Sequence, residues 1–247
     1  MKRFQPCSLI IAALILAMSP GLNAQKNYSK SFIRKQKEAA AEMVQQRHKM
    51  SQVMVDKVFS FAELGFHEVE SSNYLTGILE DAGFEVTRGI SGIPTAWVAR
   101  WSNGDGPVIA LGSDVDDIPK ASQYPGVAYH KPIIEGAPGH GEGHNSGIPL
   151  IITAALSVQE LMKENDMGGT LIFWPGIAEE QLGSKAWFVR DGLFNGVDMC
   201  IFTHVSSNLA VSWGQARGTG LISLEYTFKG ESAHSAGAPW RGRSALD

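Results

Sequence analysis

The chain has 247 residues, 44% hydrophobic and 19% charged, enough for one large domain or two small ones with a real core. The formal net charge is -4 and the basic residues are scattered, which argues against nucleic acid as a partner. Of two cysteines, Cys7 lies in the first segment and Cys200 stands alone, so no internal disulfide supports the fold.

Lys2 and Arg3 precede an apolar run, Leu9 to Met18, which is followed by Pro20, Gly21 and the small Ala24. This is the pattern of a secretory signal peptide over residues 1–24, and it predicts an exported product, periplasmic or secreted. The run is far short of the roughly 20 residues that span a bilayer, so no stable membrane insertion is expected after its removal.

From Ser31 to about Phe61, apolar Phe32, Ala39, Ala40, Met43, Met50 and Met54 recur at helical spacing and predict a helix with one break. A second helix is predicted from about Glu68 to Ala82, with Tyr74, Leu75, Ile78 and Leu79 on one face and Gly83 as its stop. Strands are predicted from Phe84, over Thr95 to Trp101, and over Val108 to Gly112, the last apolar on both faces and hence central. The amphipathic stretch from Ser146 to about Glu164 reads as a helix, Gly169 to Trp174 as a buried strand, Gln181 to Asp191 as a short helix and Val197 to Thr203 as a strand. Cys200 falls in this last apolar run and is expected to be a buried structural thiol. Alternating strands and helices give an α/β fold, a mixed sheet with helices on both faces. The pattern changes beyond Gly218, and a domain boundary is placed near 215–219.

Potential ligands cluster where strands end. Asp114 and Asp116 follow one strand, Glu179 and Glu180 another, and His204 a third, while His140, Glu142 and His144 alternate with glycine at the start of a helix. In open α/β sheets the carboxyl ends of strands are where sites are built. Carboxylate and imidazole together suit Zn²⁺, Mn²⁺ or Co²⁺, and a catalytic site needs three protein ligands with a position left open. Neighbouring Glu179 and Glu180 suggest divided labour, one holding metal and the other serving as general base.

The chain resembles the aminoacylase-like dinuclear metallopeptidases, and within them the aminobenzoyl-glutamate hydrolase and N-acyl amino acid amidohydrolase branch. The motifs are Phe61-Ala-Glu-Leu-Gly-Phe66, Asp114-Val-Asp116-Asp-Ile-Pro119, Gly139-His-Gly-Glu-Gly-His-Asn145, Ala178-Glu179-Glu180, Thr203-His204, Phe228-Lys-Gly-Glu-Ser-Ala-His234 and Gly242-Arg-Ser-Ala-Leu-Asp247. The resemblance implies a zinc-peptidase-like catalytic domain over 25–216 and, over 217–247, the first part of a small α+β lid through which two subunits dimerise. It implies metal ligation by His144, Glu180 and His204, with one or two Zn or Mn ions per subunit. Glu179 would be the general base, Asp116 would orient a ligand, and His234 would reach the partner's site to stabilise an oxyanion. The implied reaction is metal-dependent hydrolysis of an amide or peptide bond in an N-acyl amino acid or aminobenzoyl-glutamate-like small molecule.

Two departures follow from the same resemblance. Glu142 stands where the branch has cysteine and is read as a fourth metal ligand, with a role behind the ligands as the alternative; oxygen in place of sulfur favours Mn²⁺ or weakens one position. A further metal-binding histidine, most of the small domain and a returning part of the catalytic domain would lie beyond Asp247, so both domains are expected to be incomplete. The alternative functions are a catalytically impaired metal-binding homologue and a cytoplasmic peptidase whose first residues are not a signal.

Overall fold

The computed structural model describes residues 28–214, 222 and 224–246; the signal-peptide expectation for residues 1–24 lies outside them, as does the boundary expected near 215–219. Helices α1 (Lys30–Gln46) and α2 (His48–Phe61) realise the long first pattern, and the expected break falls at Arg47, where ψ of 3° leaves the helical region. The Ser29 hydroxyl caps α1 by accepting from the Phe32 amide at 3.1 Å. Helix α3 (Val69–Asp81) buries Leu75 and Leu79 as its spacing requires, and Gly83, at φ +86°, turns the chain out of it. Its free N-terminal amides are taken up from outside: the Glu63 carboxylate accepts from Glu70 and Ser71 at 2.8 and 2.9 Å.

Strands β1 (Glu85–Arg88), β2 (Trp97–Ser102), β3 (Val108–Asp114), β4 (Thr170–Gly176) and β5 (Met199–Thr203) form one mixed sheet in the order β1-β2-β4-β3-β5. β1 and β2 are antiparallel, as are β2 and β4, whereas β3 runs parallel to both β4 and β5. Asp114 pairs with Gly176 and Ser113 with Thr203, so three carboxyl ends emerge side by side on one edge. β4 is buried along its whole length, which its run of Leu171, Ile172, Phe173 and Trp174 permits.

Successive residues of β3 show the two covered faces. Ser113 lies against Gly147 of helix α4 (His144–Glu164), while Gly112 lies beneath the Trp174 ring, which in turn meets Phe188 of helix α5 (Lys185–Arg190) edge to face. The core joins Ile148, Ile152 and Ala155 of α4 to Ala110, Phe173, Ala99, Leu75 and Leu79. Each of the large side chains among these contributes roughly 1.5–3 kcal/mol by leaving water.

Three expectations are corrected. Helix α4 starts at His144, two residues before the predicted Ser146, because Gly143 takes a left-handed φ of 73° and lets the helix begin inside the glycine loop. The predicted helix from Gln181 is interrupted: Leu182 and Ser184 have φ of 49° and 30°, so a 3-10 turn at Glu179–Gln181 precedes the short α5. Cys200 is exposed rather than buried, because among the described residues β5 is the last strand of the sheet and Met199–Phe202 are left exposed. Residues 224–246 are largely exposed and contain an isolated bridge between Glu231 and Arg243 and a 3-10 turn at Pro239–Arg241. No helix among the described residues is long and apolar enough to cross a membrane.

Candidate metal centre

His144 is the hub. Starting α4 at residue 144 brings this side chain to the strand ends, and the helix is fixed there by the Thr203 hydroxyl, which donates to the Gly147 carbonyl at 3.0 Å, while Ser113 donates to the Thr203 carbonyl at 2.8 Å. A Cβ on Gly147 would collide with the Ser113 hydroxyl, so glycine is required for helix and strand to approach this closely. The His144 Nδ1 lies 2.8 Å from the Asp116 carbonyl oxygen and 3.5 Å from its carboxylate. A carbonyl can only accept, so Nδ1 carries a proton and Nε2 is directed at the site.

His204, just past β5, points its own Nε2 to within 3.2 Å of His144 Nε2, while its Nδ1 donates to the Val205 carbonyl at 2.7 Å. Two imidazole nitrogens this close need a cation between them, either a shared proton or a metal. Neighbouring nitrogens of a tetrahedral zinc, each about 2.0–2.1 Å from the ion, stand roughly 3.3 Å apart. Burial pulls the His144 imidazole down, but hydrogen bonds to Asp116 and the charges of Asp114 and Asp116 outweigh it and hold its pKa at about 9. The pocket therefore favours positive charge at this point.

Two sets of potential ligands share His144. Glu142, His144, Glu179 and Glu180 each offer one atom within 4.8 Å of the others, and so do Asp114, His144 and His204. The Glu142 carboxylate lies 3.7 Å from His204 Nε2 and is about half exposed. Burial, then the negative charge of Glu142, pushes the Glu180 carboxyl up. Glu180 Oε1 is buried without a hydrogen-bond partner, as an acceptor directed at a cation would be, whereas Asp116 Oδ1, also buried, faces the His144 Nδ1 at 3.5 Å. Asp116 binds both sides of the site, holding His144 through its carbonyl and accepting from the Glu180 amide through Oδ2 at 3.1 Å. The donor set, imidazole and carboxylate with a buried oxygen lacking a partner, fits a divalent ion.

Not every predicted residue joins the cluster. His140 faces away: its Nδ1 is 2.5 Å from Asp117 Oδ1 and its Nε2 donates to the Val58 carbonyl at 3.0 Å, with both side chains of the pair buried. The alternation His140-Gly-Glu142-Gly-His144 thus divides between a structural pair and the site. His234 is not brought to these residues; its Nδ1 accepts from the Ala236 and Gly237 amides in an exposed turn.

Lys185 enters the site without any signal in the sequence. Its Nζ lies 2.7 Å from Asp114 Oδ1 and 4.0 Å from Glu179, and Gly176 leaves the space, since a Cβ there would strike both Asp114 and Lys185. Burial pushes the Asp114 carboxyl up and Lys185 opposes that shift. A single lysine in a short helix does not announce this placement. Glu68, wholly buried behind the Glu179 turn, likewise has the sequence signature of a helix start and nothing more.

No family model matches the chain. A p-aminobenzoyl-glutamate hydrolase subunit of Escherichia coli is 35% identical over 194 residues, covering 78% of this chain and 40% of that protein. Thermostable carboxypeptidase 2 of Saccharolobus solfataricus is 30% identical over 156 residues, 62% of this chain and 38% of that protein. The chain therefore spans about two fifths of the length of these relatives. Among solved structures, the YXEP protein of Bacillus subtilis, described as a dinuclear metal binding peptidase of the M20 family, superposes with a TM-score of 0.58 at 25% identity, over 68% of this chain and 45% of that one. An aminobenzoyl-glutamate utilization protein of Klebsiella pneumoniae shares the fold with a TM-score of 0.54 at 18% identity, over 84% of this chain and 56% of that one. With the converging strand ends and the order of its motifs, the chain belongs to the aminoacylase-like dinuclear metallopeptidase family, in its aminobenzoyl-glutamate hydrolase and N-acyl amino acid amidohydrolase branch.

Proposed function

We propose that this chain carries the metal-binding and general-base half of an amidohydrolase that cleaves an amide or peptide bond in an N-acyl amino acid or aminobenzoyl-glutamate-like substrate. The observation that carries the reading is the sharing of His144 between two ligand sets at the carboxyl ends of β3, β4 and β5. The substrate class is supported by the name of the Escherichia coli relative.

In this reading Glu142, His144, Glu180 and His204 hold one or two ions, Zn²⁺ or Mn²⁺. When bound, such an ion supplies Lewis acidity toward the scissile carbonyl and makes a nearby water easier to deprotonate. Asp116 keeps the His144 ring oriented with Nε2 toward the site. Glu179, partly exposed like the neighbouring Glu180, takes the proton of the attacking water and returns it to the leaving amine. His234 steadies the oxyanion from a partner subunit, which makes the working form a homodimer, and the protein acts after export. Carboxylate at 142 in place of thiolate shifts the preference toward the harder Mn²⁺.

The test uses the reading frame carried to its natural stop codon, with metal content and amino-acid release from an acyl-amino-acid panel as readouts. Turnover is expected with bound metal and is expected to fall at least 100-fold in Glu179→Gln, the lower end of what a positioned base contributes. Unchanged turnover in that variant would remove Glu179 from its role.

A further inference from the structure

The turn bearing Glu179 and Glu180 is held in an unusual backbone conformation. Ala178, Leu182 and Ser184 have φ of 52°, 49° and 30°, in a region where side chains with a Cβ are crowded. Such a conformation persists only where surrounding structure holds it. Glu68 supplies that hold from the other side of the chain. Its carboxylate is fully buried, with Oε1 accepting from the Ala178 amide at 2.8 Å and Oε2 from the Thr95 hydroxyl at 2.9 Å.

The neighbouring contacts act in the same direction. A Cβ on Gly65 would come within 2.9 Å of Ala178 Cα, so the segment leading to Glu68 lies directly on the turn. The Ala178 carbonyl accepts from Gln181 and Gly183 at 3.1 and 2.8 Å, closing the turn on itself. Farther along, Asp116 accepts from the Glu180 amide at 3.1 Å. The acid pair is thus clamped between two buried carboxylates, one of which, Asp116, also holds His144. The other has both oxygens committed to Ala178 and Thr95.

We propose that Glu68 is a positioning residue of the metal site: it fixes the left-handed turn at Ala178 and thereby sets where Glu179 and Glu180 point. The effect on metal rests on the metallohydrolase reading above; the effect on the turn does not. Glutamine is the conservative probe, because its amide oxygen can still accept from Ala178 and its amide nitrogen can donate to Thr95.

The experiment compares wild-type, Glu68→Ala and Glu68→Gln forms of the full reading frame by amide hydrogen exchange without metal and by calorimetric titration with Zn²⁺ and Mn²⁺. In Glu68→Ala, exchange over residues 176–184 should quicken about tenfold or more while α4 and β2 stay as in the wild type, and metal affinity should fall about 10–100-fold, as for other residues that orient ligands. Glu68→Gln should restore both to near wild-type values. Unchanged exchange in that turn, or a rise spread equally over α4 and β2, overturns the proposal. If Glu68→Ala does not fold, Glu68→Gln decides, since a tenfold loss of metal affinity in that variant contradicts the assignment. If the wild type takes up no metal, the functional reading falls while the exchange comparison still decides the role of Glu68.

Discussion

At the residue scale the controlling feature is the charge state of His144. Its folded pKa is raised from 6.5 to about 9, burial being outweighed by Asp116 and Asp114. A histidine with a raised folded pKa contributes stability that is fully present below about pH 6.5 and is lost as pH rises through about 9. The metal-free protein is therefore expected to lose stability across that window, read as a falling denaturant midpoint. Metal binding has the opposite trend, because the ion must displace the His144 proton; affinity should rise with pH by up to about tenfold per unit below 9. Calorimetry at several pH values checks this, and a pH-independent affinity would show that no proton is displaced from His144. The ligand types are legible in the sequence, since strand ends followed by Asp, Glu or His are local features. The partners Lys185 and Glu68 are not, because each acts on residues far away in the chain, Asp114 and Ala178, through contacts that only the folded topology creates.

At the element scale, the glycine loop divides its histidines between two tasks. His144 enters α4, and His140 anchors the loop to α2 through the Val58 carbonyl and to the β3 end through Asp117. Burial pushes the Asp117 carboxyl up, against the opposing effect of His140. Removing the imidazole leaves that carboxyl buried without its partner. His140→Ala is expected to destabilise the fold by roughly 3–5 kcal/mol, the usual result of breaking a buried pair, while the number of ions bound per folded chain stays the same. Urea unfolding and metal analysis read the two effects separately, and loss of metal without loss of stability would make His140 a ligand. Most elements can be placed from hydrophobic period, with Gly83 marking a helix stop by its residue type, whereas the position of the break at Arg47 carries no such mark. The two misplaced helix starts share one cause: positive φ at Gly143, Leu182 and Ser184 redirects the chain, and for Leu182 and Ser184 no residue type announces it.

At the scale of the whole molecule, the mixed sheet gathers the site because β3, β4 and β5 run parallel and end together, a property of strand order that period cannot reveal. Nothing in the residue pattern tells how β5 is covered among the described residues, which is why Cys200 departs from expectation: an apolar run looks the same whether a strand is covered or not. The central claim is that these strand ends bind a divalent ion through His144. It is tested most directly by the metal content of the purified, folded full-length protein and of its His144→Ala variant at neutral pH. The account predicts at least one tightly held divalent ion per chain in the wild type and its loss in the variant with circular dichroism unchanged. A wild-type protein that is folded yet holds no ion, or a variant that keeps the full complement, would contradict it.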